Sequence, residues 1–224
     1  LKRRIRLDQM LYWLWMQQAL GFGAKTKSWL AGFCSAQTFF EADETAYLSQ
    51  TASGFQRTPT AAQLKRLANK DLTACREIAA LCEENDICIL TPDDERYPTR
   101  LFQIENHPAA LFVKGDADTL QSEHTIAVVG SRSPTRYSYD AARLVTRDLA
   151  IAGLTIVSGG APGIDTAAHM AALSVNKPTV MVLGYGHLVR YGKDAQQLHD
   201  HVALCGAVVS EYPPLQTANR GSFP

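Results

Sequence analysis

The stretch VSGGAPGIDTAAH, residues 157–169, decides how this chain is read. Two adjacent glycines, a third glycine three residues on, an acid and a run of helix formers describe a strand that ends in a tight turn and opens a helix. Such a turn presents backbone N–H groups to an anion. The pattern repeats on both sides. TIAVVG (125–130), LTIVSG (154–159), PTVMVLG (178–184) and AVVSEY (207–212) are short apolar runs. Between them, 139–152, 165–175 and 194–205 carry apolar residues at helical spacing, and Gly206 follows the last helix. Continuous apolar strands alternating with helices predict an α/β fold with a doubly wound, mainly parallel sheet, helices covering both faces.

Upstream, residues 1–85 read as helical. Apolar 7–20 breaks at Gly21-Phe22-Gly23 and resumes over 25–33, and further helices are expected at 60–69 and 71–85. Helix, GxG turn, helix is the outline of a helix-hairpin-helix (SAM-like) unit that meets a DNA phosphate, with Lys25 and Lys27 adding charge; a glycine C-cap in a plain bundle gives the same pattern. Short strands are expected at 87–92 and, from the alternation over 110–113, at 110–115, and polar 116–124 reads as a linker. The expected division is a helical domain over 1–85 and a second domain over 86–224.

Basic and acidic residues balance at 22 each, so any nucleic acid must be held by a local surface rather than by net charge. No apolar run approaches a membrane span and no signal peptide is visible, so no membrane partner is expected. Five cysteines form no CxxC pair, which argues against a zinc site or disulfide framework and for a reducing cytoplasm. The chain opens on Leu1 rather than Met, so its natural start is expected to lie upstream.

Ligands of open parallel sheets bind at the carboxyl ends of the strands. That edge collects GSRSPTR, SGGAPGID, GYGHLVRYGK and SEYPP. A dinucleotide site needs GxGxxG after the first strand and an acid ending the second; neither is present. A triphosphate loop needs GxxxxGK[ST], but Ile164 and Asp165 follow Gly163. No cofactor is expected. What remains is an isolated-phosphate site: N–H groups of Gly159, Gly160 and Gly163 beyond Ser158, with Arg132, Lys193, Arg190 and Arg136 supplying charge. Tyr185 and Tyr191 lie on the rim, either stacking on bases or not.

No catalytic residue is expected. Asp165 and His169, one helical turn apart, make a poor metal site; Asp165 caps the helix or orients the glycine turn, and His169 packs against it. Ser158 stands outside GxSxG, and Glu211 has no partner base and reads as a structural acid. His199 and His201 read as surface residues, and Trp13, Trp15 and Trp29 as core.

VVGSR, SGGAPGIDTAAH, VLGYG and VVSEYPP, in this order, with the lead-in YPTRLFQIENHPAALFVKGD, resemble the DNA-processing DprA (Smf) family over residues 88–224. The resemblance implies a Rossmann-like domain that binds single-stranded DNA in natural transformation, protects it, helps load a RecA-type recombinase, and forms a homodimer without catalysing a reaction. It implies DNA contacts at Gly130, Ser131 and Arg132, at Ser158, Gly159, Gly160 and Gly163, and at Lys193. The family's YPxxN reads YGKDA here, with Gly192 for proline and Ala195 for asparagine, which withdraws the asparagine contact. The chain stops at Ser222-Phe223-Pro224, where the family continues into RNR, so the domain is expected to be incomplete. The competing readings are a phosphoribohydrolase-like enzyme, whose PGGxGTxxE is a cousin of SGGAPGID but whose glutamate is absent, and a non-catalytic mononucleotide sensor.

Overall fold

The structure is a computed structural model and describes residues 2–52, 59–190, 192–219 and 221–222. The chain divides into two compact units, Leu1–Glu84 with Ile89–Leu111, and Asn85–Cys88 with Phe112–Pro224.

The first unit holds α1 (Lys2–Leu20), α2 (Thr26–Leu30), α3 (Ala36–Glu41), α4 (Glu44–Ala52), α5 (Ala61–Ala68) and α6 (Thr73–Glu84). Its core is aromatic. Trp15 packs edge-on to Phe40 and Trp29 edge-on to Phe39, and Tyr47 lies against Phe39. All three tryptophans are buried. Trp13 Nε1 donates to Asp93 Oδ2 at 2.6 Å and Trp15 Nε1 to the Asn69 carbonyl at 2.8 Å, so both of these buried indole N–H groups have acceptors. Lys70 sits among the rings of Trp15, Phe40 and Tyr47 and donates to Tyr47 Oη at 2.8 Å.

The segment 89–111, which the sequence reading places with the second domain, belongs to this unit. Gln17 Nε2 of α1 anchors it there by donating to the Ala110 carbonyl at 3.1 Å, and within the segment Tyr97 Oη donates to the Pro108 carbonyl at 2.6 Å. Gly21 and Gly23 take φ of +89° and +70°, ending α1 as left-handed turn residues do.

The strands are β1 (Cys88–Leu90), β2 (Leu111–Gly115), β3 (Thr125–Ala127), β4 (Thr155–Ser158), β5 (Thr179–Leu183) and β6 (Ala207–Ser210), in one sheet of order β1-β2-β6-β5-β4-β3. The helices of this unit are α7 (Arg136–Ile151), α8 (Ile164–Leu173) and α9 (Lys193–Cys205). β3 to β6 pair in parallel, and β2 runs antiparallel to β6, with Phe112 opposite Ser210. The α/β class and mainly parallel sheet are as read from the sequence.

β3, β4, β5 and β6 stand side by side in chain order. Right-handed crossovers that always step the same way put their helices on one face. Accordingly Met181, Leu183 and Val208 pack on Leu198 and Val202 of α9, and Ile156 packs on Ala150 of α7 and Ala168 and Ala172 of α8. On the other face Val182 is 48 % exposed. The polar segment 116–124, read as a linker, contains a 3-10 turn over Ala117–Gln121 that Asp116 caps by accepting from Asp118 N. No described helix is long and apolar enough to cross a membrane.

Candidate nucleic-acid interface

Two of the strand-end turns interlock. The turn after β3 carries Gly130, Ser131 and Arg132, all exposed. The turn after β4 carries Gly159, Gly160 and Gly163 and leads into α8. The Ile164 N–H, first in α8, donates to the Ser131 carbonyl at 3.1 Å, so one turn caps the helix that follows the other. Gly163 has φ +92° and ψ −125°, and a Cβ there would collide with the Ser131 carbonyl and lie 2.9 Å from that of Arg132. Only glycine fits this junction. Ser158, also buried, donates from Oγ to the Val128 carbonyl at 2.6 Å and ties the two strand ends. Its hydroxyl is spent on the backbone rather than offered to a ligand.

Asp165 is buried in the first turn of α8 but does not cap it. The cap position belongs to Gly163, with no side-chain bond. A Cβ on Gly159 would meet Asp165 Oδ2 at 2.7 Å, so the carboxylate lies directly under the glycine turn. His169, fully buried, holds the same turn. Its Nε2 is 2.8 Å from the Gly159 carbonyl and its Nδ1 is 2.9 Å from Thr179 Oγ1. Burial holds this imidazole below its ordinary pKa, so it is neutral. A neutral ring has one N–H. The carbonyl can only accept, so Nε2 carries the proton, while Nδ1 lies against Thr179 Oγ1, whose hydroxyl donates to the Ile156 carbonyl at 2.8 Å. His169 is a staple between β5 and the glycine turn. Among the described residues, no acceptor meets the Gly160 or Gly163 N–H.

The third turn, after β5, is stitched down at several points. Gly186 N–H donates to the Gln216 carbonyl at 2.8 Å, Leu188 N–H to that of Pro214 at 2.9 Å, and Ser210 Oγ to that of Tyr185 at 2.7 Å. Tyr185 is half-buried and packs on the Met181–Val208 cluster, so its ring belongs more to the core than to the rim. Tyr191 lies outside the described residues. Arg190 is exposed. Lys193 is exposed as the first residue of α9, where the helix dipole adds to its attraction for anions. Arg136 likewise opens α7, paired loosely with Asp140 at 3.7 Å. Glu211, at the end of β6, is half-buried, and burial raises its carboxyl pKa. Among the described residues no cluster of three or more His, Cys, Asp or Glu could hold a metal.

His199 corrects the sequence reading. It is buried rather than on the surface, because the third turn folds back and brings His187 against it, Nδ1 to Nε2 at 3.2 Å. His187 Nε2 donates to the Phe112 carbonyl at 2.9 Å, and His199 Nδ1 faces Asp200 Oδ1 at 3.3 Å. Burial lowers both pKa values, that of His187 to about 4. His187 gave no signal in the sequence, since its partners are distant in the chain. His201 is exposed, as read.

The family of DNA recombination-mediator protein A matches residues 88–224. The DNA processing protein DprA of Bacillus subtilis is 32 % identical over 164 residues, which are 73 % of this chain and 55 % of that one. The X-ray structure of DNA processing protein A from Streptococcus pneumoniae superposes with a TM-score of 0.68 at 30 % identity, covering 94 % of this chain and 71 % of that chain. A structure giving insights into the single-stranded DNA binding mode of DNA processing protein A from Helicobacter pylori superposes with a TM-score of 0.54 at 30 % identity, covering 60 % of each chain. This chain spans about a third to just over half the length of four curated relatives named DprA or Smf.

Proposed function

The chain belongs to the DNA recombination-mediator protein A family, and from that premise we propose that it binds single-stranded DNA without catalysing a reaction. The observation that carries the reading is the pair of interlocked turns. They form a backbone edge with Gly160 and Gly163 N–H groups at a helix start; exposed Arg132 belongs to one of the turns, and exposed Lys193 opens α9 after the next strand. Backbone N–H groups and fixed cations suit phosphates that arrive singly along a flexible strand. The contacts are Gly130, Ser131, Arg132, Gly159, Gly160, Gly163 and Lys193, with Arg136 and Arg190 outside them. Ser158, Asp165, His169 and Glu211 shape the turns.

The biological role proposed is protection of incoming single strands in natural transformation and delivery to a RecA-type recombinase in the cytoplasm, by a homodimer of the full-length protein. A helical domain built on 1–85, to which 89–111 adds, and a DNA-binding domain over the rest of 86–224 divide the work. The test is fluorescence anisotropy of labelled poly-dT over a salt series, with duplex DNA and AMP as competitors. Salt-sensitive binding that unlabelled poly-dT competes for and AMP does not is the expected result. AMP hydrolysis, or AMP held more tightly than poly-dT, would replace this reading with a nucleotide enzyme or sensor.

A further inference from the structure

Resting on the single-strand reading above, we infer that the strand leaves the interlocked turns along α7, in the groove between α7 and α8. α7 starts directly beyond the turn that carries Arg132. Arg136, Arg143 and Arg147 follow at separations of seven and four residues, within about 40° of the helix circumference. All three are exposed, Arg136 by 96 % of its side chain. The groove is lined by Asp140, Arg143, Leu144 and Arg147 from α7 and by Ala171 and Ser174 from α8.

Apolar surface lies between these charges. Leu144 is 54 % exposed, and Tyr137, at the head of the helix, is 83 % exposed. An aromatic ring and a leucine beside a row of arginines suit bases and phosphates of one unpaired strand. Arg136 to Arg147 spans about 16 Å of helix, roughly five nucleotides of a stacked strand. Asp140 and Asp148 hold Arg136 and Arg147 at 3.7 and 3.1 Å, but both are exposed pairs of the kind that contribute at most about 1 kcal/mol. A phosphate that releases counterions displaces them.

The arginines also lie over the last turn of α8, where they complement its carbonyl end. That role alone predicts a change in stability and no dependence on strand length. The experiment measures wild type and the double variant Arg143→Gln/Arg147→Gln against labelled oligo-dT of about 6 and about 20 nucleotides, over a salt series. Thermal midpoints are measured alongside. The expected result is unchanged binding of the short strand and about tenfold weaker binding of the long one. The salt slope on the long strand falls by about 1.4, for two phosphates at about 0.7 each. Equal affinity and slope on the long strand overturn the path. So does an equal loss on both lengths, which assigns the arginines to the fold. Wild type binding neither strand sinks the single-strand reading itself, an outcome distinct from wild-type binding that the variant leaves intact.

Discussion

Gly163→Ala separates two costs that the fold combines at one residue. The first is conformational. At φ +92° and ψ −125° an L-residue is strained by about 1–3 kcal/mol. The second is steric: the added methyl collides with the Ser131 carbonyl and sits 2.9 Å from that of Arg132, both of them backbone. Backbone cannot rotate away as a side chain can, and overpacking of this kind costs about 1–3 kcal/mol more. The sum is about 2–6 kcal/mol. Gly153→Ala is the control, because Gly153 has φ +95° but nothing within 4 Å of a Cβ, so it carries the conformational cost alone. All three tryptophans lie in the first unit, so their fluorescence is blind to this change. The assay is therefore amide hydrogen exchange by mass spectrometry, read on β4 and α8, with tryptophan fluorescence as the internal reference. Gly163→Ala should lose protection in α8 by at least about tenfold more than Gly153→Ala, about 1.4 kcal/mol. Equal losses would refute the interlock of the two turns.

Arg132→Ala should weaken single-strand binding at least about tenfold, about 1.4 kcal/mol by anisotropy, with hydrogen exchange unchanged; full affinity in a folded variant removes Arg132 from the site. His187 and His199 predict acid sensitivity of the second unit. Their folded pKa values lie below the ordinary value of 6.5, His187 at about 4, so the unfolded chain binds more protons over that interval. Stability should be complete above pH 6.5 and fall as pH drops toward about 4. Lys114 and Asp200 are the other charges facing the pair: the lysine deepens the effect and the carboxylate opposes it. Urea midpoints of wild type and His187→Gln at both ends of this range check it, and an equal pH dependence in the two chains would discard the assignment.

What the sequence made legible was whatever is encoded locally. Thr60-Ala-Ala-Gln63 forms a reciprocal capping box and starts α5 beside the expected position, and the apolar runs of β4, β5 and β6 were found to within two or three residues. α3 and α4 were missed. Ser35 caps α3 through Thr38 rather than through the Glu or Gln that marks a capping box, and both helices are short. Strand order carries no local signal, and it is the order that puts α7, α8 and α9 on one face. In the candidate site, the placement of the glycines and Arg132 on one edge was legible because strand ends collect there. His187 with His199, and the carbonyls of Pro214 and Gln216 that anchor the third turn, were not, since those contacts depend on chain reversal.

The staple at His169 makes this molecule its own spectroscopic reporter. Its Nε2 proton is enclosed between the ring and the Gly159 carbonyl, away from solvent. Such a proton exchanges slowly and gives a resolved downfield imidazole resonance. The resonance tracks the geometry of a single turn, free of any label. Titration with an oligonucleotide would then distinguish two kinds of recognition. A line that only shifts means the turn is a preformed mould. A line that broadens or vanishes means the turn opens to admit the strand and reseals behind it.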